Sequence, residues 1–275
     1  MSPATSRFVE AGGLRTHYLE AGDLGGAPLI LLHGGGAGAN AWGNWRGTIP
    51  VLARHFHVLA VDMVGFGDTA KPDPTKFPYS QQARIDHLRE IMRALRLDAA
   101  TLVGNSMGGA TALGLAVDQP SMVKRLVLMG SAGLNTEIHQ ALLPVINYDF
   151  TRDGMARLIR ALVNDRFVID DELVTYRHER SIDPEARRAY GATMQWIRDQ
   201  GGLFYPPDFI ARVRCPTLVV NGKDDKVVPL ANAYRFLELI PRSWGYIMPD
   251  CGHWAMIEHP DDFARATLAF AQARD

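Results

Sequence analysis

Apolar residues lie along the chain in short, nearly unbroken runs, each closed by turn-forming residues: PLILLHG (28–34), HVLAVDMVG (57–65), ATLVGNS (100–106) and RLVLMGS (125–131). A strand with one wet face alternates apolar and polar positions, whereas a strand covered on both faces does not, so these runs predict buried strands. Between them the spacing lengthens to that of a helix. ARIDHLREIMRALRL (83–97) gathers Ile85, Leu88, Ile91, Met92 and Leu95 on one face, and MGGATALGLAVDQP (107–120) closes at a proline. Strand, helix, strand, helix predicts an α/β fold with a mostly parallel sheet. At the N-terminal end, FVEAGGLRTHYLEAG (8–22) reads as two short strands about a Gly-Gly hairpin turn.

The pattern then changes. From 133 to 209 no strand-like run occurs, only charged amphipathic segments such as RDGMARLIRALVND and DDELVTYRHERSI; CPTLVVNGKDD (215–225) and WGYIMPDCGHW (244–254) then restore the strand grammar. The expected organisation is a sheet domain over 1–132, a helical insertion over 133–209, and the rest of the sheet domain over 210–275. No internal repeat or low-complexity tract interrupts it.

Composition narrows the function classes. With 47% hydrophobic residues, the 275-residue chain can bury a core without staples. A formal net charge of −1 offers no electrostatic reason to bind nucleic acid or an anionic membrane surface. There is no run of 18 apolar residues to span a bilayer, and MSPATSRFVEAGG lacks the features of a secretory signal, so a cytoplasmic protein is expected. Two cysteines, Cys215 and Cys251, make neither a disulfide framework nor a zinc site, and no H-E-x-x-H spacing occurs, so no metal is expected. Cys251 reads as packing.

The candidate chemistry sits at the seam between the 100–106 run and the following helix. Gly104-Asn105-Ser106-Met107-Gly108 matches G-x-S-x-G in a strand–turn–helix context. Such a turn holds the serine in a strained conformation with its hydroxyl exposed, and side chains at Gly104 or Gly108 would collide with neighbouring backbone. A serine needs a base, and the base an orienting acid, in the chain order Ser, acid, His. NGKDDKVVP (221–229) offers Asp224 or Asp225, with spacing from Gly222 and to Pro229 favouring Asp225; PDCGHWAMIEHP (249–260) offers His253 as base, while His259 reads as the start of a helix. The loop HGGGAGANAW (33–42) resembles those that donate to an oxyanion, which assigns the backbone N–H groups of Gly35 and Met107.

The same loop admits a second reading. Gly36, Gly38 and Ala41 fit G-x-G-x-x-A after a strand, with Asp62 placed as a ribose-binding acid, the pattern of a dinucleotide-binding oxidoreductase. That reading leaves Ser106, Asp225 and His253 without a role.

Taken in order, these motifs resemble an α/β-hydrolase with a helical cap, end to end. HGGGAGANAWGNWR, DMVGFGDT, LVGNSMGGATAL, LMGSAGLN and CGHWAMIEH resemble more narrowly the meta-cleavage product hydrolases of bacterial aromatic degradation. The resemblance implies hydrolysis of a carbon–carbon bond in a 2-hydroxy-6-oxohexa-2,4-dienoate, giving 2-hydroxypenta-2,4-dienoate and a carboxylic acid. It implies no cofactor, a small-molecule substrate, and a homodimer or larger homo-oligomer. By the same resemblance Arg177 clamps the substrate carboxylate, with Gly34, Asn44, Asn105 and Trp254 completing the substrate-binding set. The alternative on the same scaffold is a carboxylesterase or lactonase with an identical triad. A non-enzymatic ligand-binding descendant would usually have lost a triad member, and all three are present.

Overall fold

The computed structural model describes residues 4–273. Eight strands form one sheet: β1 (Thr5–Ala11), β2 (Leu14–Ala21), β3 (Pro28–Leu32), β4 (His57–Val61), β5 (Ala100–Asn105), β6 (Val123–Met129), β7 (Thr217–Gly222) and β8 (Ser243–Met248). Their order across the sheet is β1-β2-β4-β3-β5-β6-β7-β8. The pairs β1–β2 and β2–β4 are antiparallel and the rest are parallel. The hairpin turn is Gly12-Gly13, both in the left-handed region (φ 58° and 78°), as a two-residue turn between right-twisting strands requires.

Each apolar run overshoots its strand at the carboxyl end. β3 stops at Leu32, β4 at Val61, β5 at Asn105, β7 at Gly222 and β8 at Met248. The surplus residues form loops beyond the strand ends, where open α/β sheets bind ligands.

Twelve α-helices are present among the described residues. Before β7 they are α1 (Ala41–Trp45), α2 (Ile49–Leu52), α3 (Gln81–Ala94), α4 (Met107–Asp118), α5 (Leu143–Ile146), α6 (Arg152–Leu162), α7 (Asp171–Ser181), α8 (Pro184–Asp199) and α9 (Pro207–Ile210). After it come α10 (Leu230–Leu239), α11 (Ala255–Glu258) and α12 (Pro260–Gln272). α3 begins two residues before its predicted start because Ser80 caps it, accepting from the Ala83 N–H, and it ends early as Arg96 turns left-handed (φ 56°). α4 ends before Pro120, which disfavours helical geometry in the residue preceding it.

Between β6 and β7 no described residue belongs to a strand; isolated bridges join Gly133 and Leu134 to Phe204. The outgoing and returning chains lie side by side there: the Gly133 N–H donates to the Leu203 carbonyl (3.1 Å) and the Tyr205 N–H to the Gly133 carbonyl (2.8 Å). Within this segment Thr151, Asp170 and Asp183 cap α6, α7 and α8. The buried face of α6 carries Met155, Leu158, Ile159 and Leu162; that of α7 carries Leu173, Val174, Arg177 and Ser181. An arginine on an apolar helix face has to be explained by what it meets inside.

Candidate active site

Ser106 is the junction between β5 and α4, at φ 53° and ψ −117°, a conformation that non-glycine residues rarely adopt. The surrounding backbone holds it there. Its N–H donates to the Met129 carbonyl at the end of β6 (3.1 Å), and its carbonyl accepts from Ala110 and Ala132 (3.0 and 3.1 Å). A Cβ on Gly104 would lie 2.5 Å from the Gly108 carbonyl oxygen, and one on Gly108 would lie 2.5 Å from the carbonyl oxygens of Leu32 and His33. Those contacts are with backbone, which cannot swing aside, so close packing of β3, β5 and α4 requires glycine at both positions.

His253 lies between β8 and α11, with Nδ1 2.7 Å from Asp225 Oδ2, and the two side chains are 3% and 0% exposed. The other Asp225 oxygen accepts from the N–H groups of Val227 and Val228, both at 2.9 Å. Both carboxylate oxygens are thus occupied, and the histidine is fixed through one nitrogen, leaving Nε2 to face the cavity that Ser106 and His253 both line. The neighbouring carboxylate, Asp224, is exposed and accepts from Asn164 Nδ2 (2.8 Å). His259 contacts the Asp250 carbonyl (2.9 Å), outside this pairing.

Gly34, Gly35 and Gly36 line the same cavity beside Asn105 and Met107. A Cβ on Gly35 would approach Met107 Sδ at 3.0 Å, so the two candidate oxyanion donors are neighbours. Neither N–H has a partner among the described residues. The loop itself is set by His33. The Met63 N–H donates to its Nε2 (3.0 Å), which must therefore be the lone-pair nitrogen; Nδ1 carries the proton and donates to the Gly34 carbonyl (2.8 Å). Burial lowers the His33 pKa, in keeping with that neutral tautomer.

Arg177, on the buried face of α7, packs against the wall of this cavity. It is 1% exposed, donates from Nη2 to Asn44 Oδ1 (2.9 Å), and lies 4.2 Å from the ring centroid of Trp254, itself a cavity residue. Its Nη1 would lie 3.9 Å from a Cβ on Gly36. Among the described residues Nε and Nη1 have no partner and no carboxylate pairs with the guanidinium; desolvation lowers its pKa from 12.5 to about 10. Asn105 donates to the Met129 carbonyl (3.1 Å), while its Oδ1 is free. Of the expected substrate-binding residues, Gly34, Asn105 and Trp254 line the cavity, while Arg177 and its partner Asn44 lie behind its wall, against Trp254 and Gly36. The rest of the wall is largely apolar, with Ile138, Val145, Ile146, Leu203 and Val228 among its residues.

Two supporting residues lie within the segments LMGSAGLN and CGHWAMIEH but had no role assigned from the sequence. Gly130, left-handed at φ 49°, makes room for the acid–base pair: a Cβ there would lie 2.9 Å from His253 Nδ1 and 3.2 Å from Asp225 Oδ2. Glu258 ties the histidine loop, accepting from the N–H groups of Gly252, Trp254 and Asn164 (3.0, 3.1 and 2.7 Å). The available signals were a glycine closing a strand run and an acid five residues after the histidine.

The dinucleotide reading fails on Asp62. This acid is 1% exposed and accepts from the Ala41 N–H (2.6 Å) and the Asp68 N–H (2.8 Å), and it pairs with His17 (2.7 Å). Nothing of it remains for a ribose. The loop glycines serve a different approach, since a Cβ on Gly38 would lie 2.1 Å from the Arg177 carbonyl oxygen. His17, Asp62 and Asp68 cluster as metal ligands can, but the atoms concerned are spent on one another: His17 Nδ1 pairs with Asp62 Oδ2 (2.7 Å), and both Asp62 oxygens accept backbone N–H groups.

A strained serine at a strand–helix junction, a buried His–Asp pair and two free N–H groups on one cavity define a serine hydrolase of the α/β type. The chain belongs to the alpha/beta hydrolase fold family, whose profile matches residues 27–260. It is 60% identical to a 2-hydroxy-6-oxo-6-(2'-aminophenyl)hexa-2,4-dienoic acid hydrolase of Metapseudomonas resinovorans, over 99% of this chain and 93% of that one. It is 37% identical to a 2-hydroxy-6-oxo-2,4-heptadienoate hydrolase of Pseudomonas putida, over 98% and 97% of the two chains. Among solved structures, a serine hydrolase involved in carbazole degradation superposes with a TM-score of 0.91 at 57% identity, covering 99% of this chain and 100% of the other.

Proposed function

We propose that the protein hydrolyses the C5–C6 bond of a 2-hydroxy-6-oxohexa-2,4-dienoate. The observation that carries this reading is Arg177: a buried cation with two free donor nitrogens and, among the described residues, no counter-charge, packed against Gly36 and Trp254 of the serine's cavity. Burying such a charge is costly unless an anion meets it, and a dienoate carboxylate supplies one. The 60% identity to an aminophenyl dienoate hydrolase supports the same substrate class, with an aromatic group in the apolar end.

In this mechanism Arg177, with Asn44, Asn105 and Trp254 around it, holds the carboxylate. The enol becomes the 2-keto form as a proton moves from the 2-hydroxyl to C5. Ser106 Oγ gives its proton to His253 Nε2 and attacks the C6 carbonyl, while Asp225 orients the ring and stabilises its charge. The resulting oxyanion lies against the N–H groups of Gly35 and Met107. The C5–C6 bond then breaks, and its electron pair flows through C3=C4 into the C2 carbonyl. The 2-hydroxypentadienoate leaves with the proton held by His253, and the acyl group stays on Ser106. Water, deprotonated by His253, adds to the acyl carbon, and the carboxylic acid departs as Ser106 regains its proton. Residues 133–209 act as a cap that encloses these steps. The resemblance further supports a cytoplasmic homodimer or larger assembly, which light scattering would measure; no described helix is long and apolar enough to cross a membrane.

The test follows the loss of dienolate absorbance of a 6-phenyl dienoate with wild type and Ser106→Ala, beside a short-chain nitrophenyl ester. Rapid dienolate loss that requires Ser106 is expected. Ester hydrolysis with an inert dienolate would overturn the carbon–carbon reading in favour of an esterase.

A further inference from the structure

Of the polar side chains lining the cavity, Asn105, Ser106, His253 and Trp254 have tasks in the reaction above, whereas Asn135 and Glu137 have none. Asn135 is partly engaged, accepting from Asn232 Nδ2 (3.1 Å). Glu137 is exposed at the rim, and among the described residues nothing pairs with its carboxylate. An anion at the opening of a cavity whose substrate is an anion needs a reason.

The position of Glu137 is set by backbone packing. The Asn135 N–H donates to the Leu203 carbonyl (3.3 Å), beside the Gly133 bond to the same oxygen (3.1 Å). Gly201 and Gly202 are both left-handed, at φ 72° and 144°, and the 135–137 backbone lies directly against them. A Cβ on Gly202 would sit 2.6 Å from the Asn135 carbonyl oxygen, and one on Gly201 would sit 3.3 Å from that of Thr136. The Gly-Gly pair thus lets this rim segment close onto the apolar half of the cavity. The cavity then has a cation, Arg177, beyond its inner end and an anion at its outer end.

We propose that Glu137 is a specificity-determining charge filter: it disfavours substrates whose C6 substituent carries a second carboxylate and leaves uncharged substituents unopposed. The proposal rests on the carbon–carbon reading, since that reaction places the C6 substituent in the outer, apolar half. Two carboxylates several ångströms apart repel; because Glu137 is exposed, water and salt reduce the effect to about threefold to tenfold in rate. The same polarity opposes a reversed substrate with its carboxylate outward.

The experiment compares kcat/KM for a 6-phenyl dienoate and for a dienedioate bearing a carboxyethyl group on C6, in wild type, Glu137→Gln and Glu137→Lys. The dianion-to-monoanion ratio is expected to rise about threefold in the glutamine variant and further in the lysine variant, with the gain shrinking as salt is added. The 6-phenyl rate is expected to stay within about twofold of wild type. A merely structural role would move both substrates together; parallel changes, or an unchanged ratio in both variants, would overturn the filter. If wild type turns over no dienolate, the carbon–carbon reading falls separately. Nitrophenyl butyrate against the mono-nitrophenyl ester of a dicarboxylic acid then reads the filter on its own, and an unchanged ratio there overturns it too.

Discussion

Replacing Arg177 with methionine should cut activity sharply while leaving stability nearly unchanged. In the free protein the guanidinium is buried without an anion, and a pKa lowered from 12.5 to about 10 corresponds to ~3 kcal/mol of desolvation. Methionine removes that cost along with one hydrogen bond to Asn44, worth about 1–3 kcal/mol because one partner is charged, and the stacking on Trp254, worth about 1 kcal/mol. These nearly cancel, so the urea midpoint of Arg177→Met should lie at or slightly above that of wild type. With substrate the balance reverses. Nη1 is free to donate to the carboxylate, and removing one partner of such a buried charge pair costs about 3–5 kcal/mol. The dienoate kcat/KM should therefore fall by roughly two to three and a half orders of magnitude. A nitrophenyl ester without a carboxylate gains nothing from Arg177, and its hydrolysis should stay within about threefold of wild type. The decisive comparison is the dienoate rate against the ester rate, with urea unfolding alongside. Equal loss of both activities, or destabilisation by more than about 2 kcal/mol, would mean that Arg177 is structural and the clamp does not exist.

Two further outcomes follow from other buried pairs. Asp225→Asn should lower dienoate turnover about 10³- to 10⁴-fold by releasing the orientation of His253, while Asp224→Asn, exposed and bonded only through Asn164 and its own backbone, should change it less than about threefold; similar losses in the two would remove Asp225 from the triad. The His17–Asp62 pair should make stability pH-dependent. For His17 burial alone would lower the pKa, but the bond and charge of Asp62 outweigh it and raise the value above 6.5; for Asp62 burial alone would raise it, but His17, His33 and two backbone N–H groups hold it below 3.8. The His17 contribution is complete below pH 6.5 and lost as pH rises through its folded value, and the Asp62 contribution is complete above pH 3.8 and lost as pH falls through its own. Urea midpoints should therefore be higher at pH 6 than at pH 9 by more in wild type than in His17→Gln, and parallel profiles would refute the linkage.

Much of the sheet was readable because burial on both faces leaves an unbroken apolar run, and β3 to β7 are buried along most of their length. The edge strand β8 is largely exposed, yet SWGYIM still carries enough aromatic character to read as a strand. The errors fell at the ends of runs, where hydrophobicity persists past the last ladder bond. Residues 33–34 and 62–65 look like strand by composition but serve as loops, since His33, Asp62 and Met63 use side chains and N–H groups to bond one another's segments. Ser106 was legible because glycine on either side is a backbone requirement that sequence records directly. Gly130 and Glu258 were not, because what they accommodate or hold comes from distant parts of the chain.

The same limit separates Asp62 from Arg177. Each is a charged residue in an apolar setting, and sequence reading offered a ligand-binding task for both. Hydrogen-bond accounting parts them: Asp62 has its oxygens filled by Ala41, Asp68 and His17, whereas Arg177 keeps two nitrogens free. A saturated buried charge belongs to the fold; an unsaturated one requires a further partner. Free donors alone do not identify the ligand. Arg84 also has two, but it opens on a separate small hollow with His87 and Thr111, none of whose lining is shared with the serine's cavity. What distinguishes Arg177 is its place against Gly36 and Trp254, in the walls of the cavity that holds Ser106. In the proposed reaction a carboxylate held there would direct the rest of the substrate toward Ser106, which would link its recognition to attack at C6.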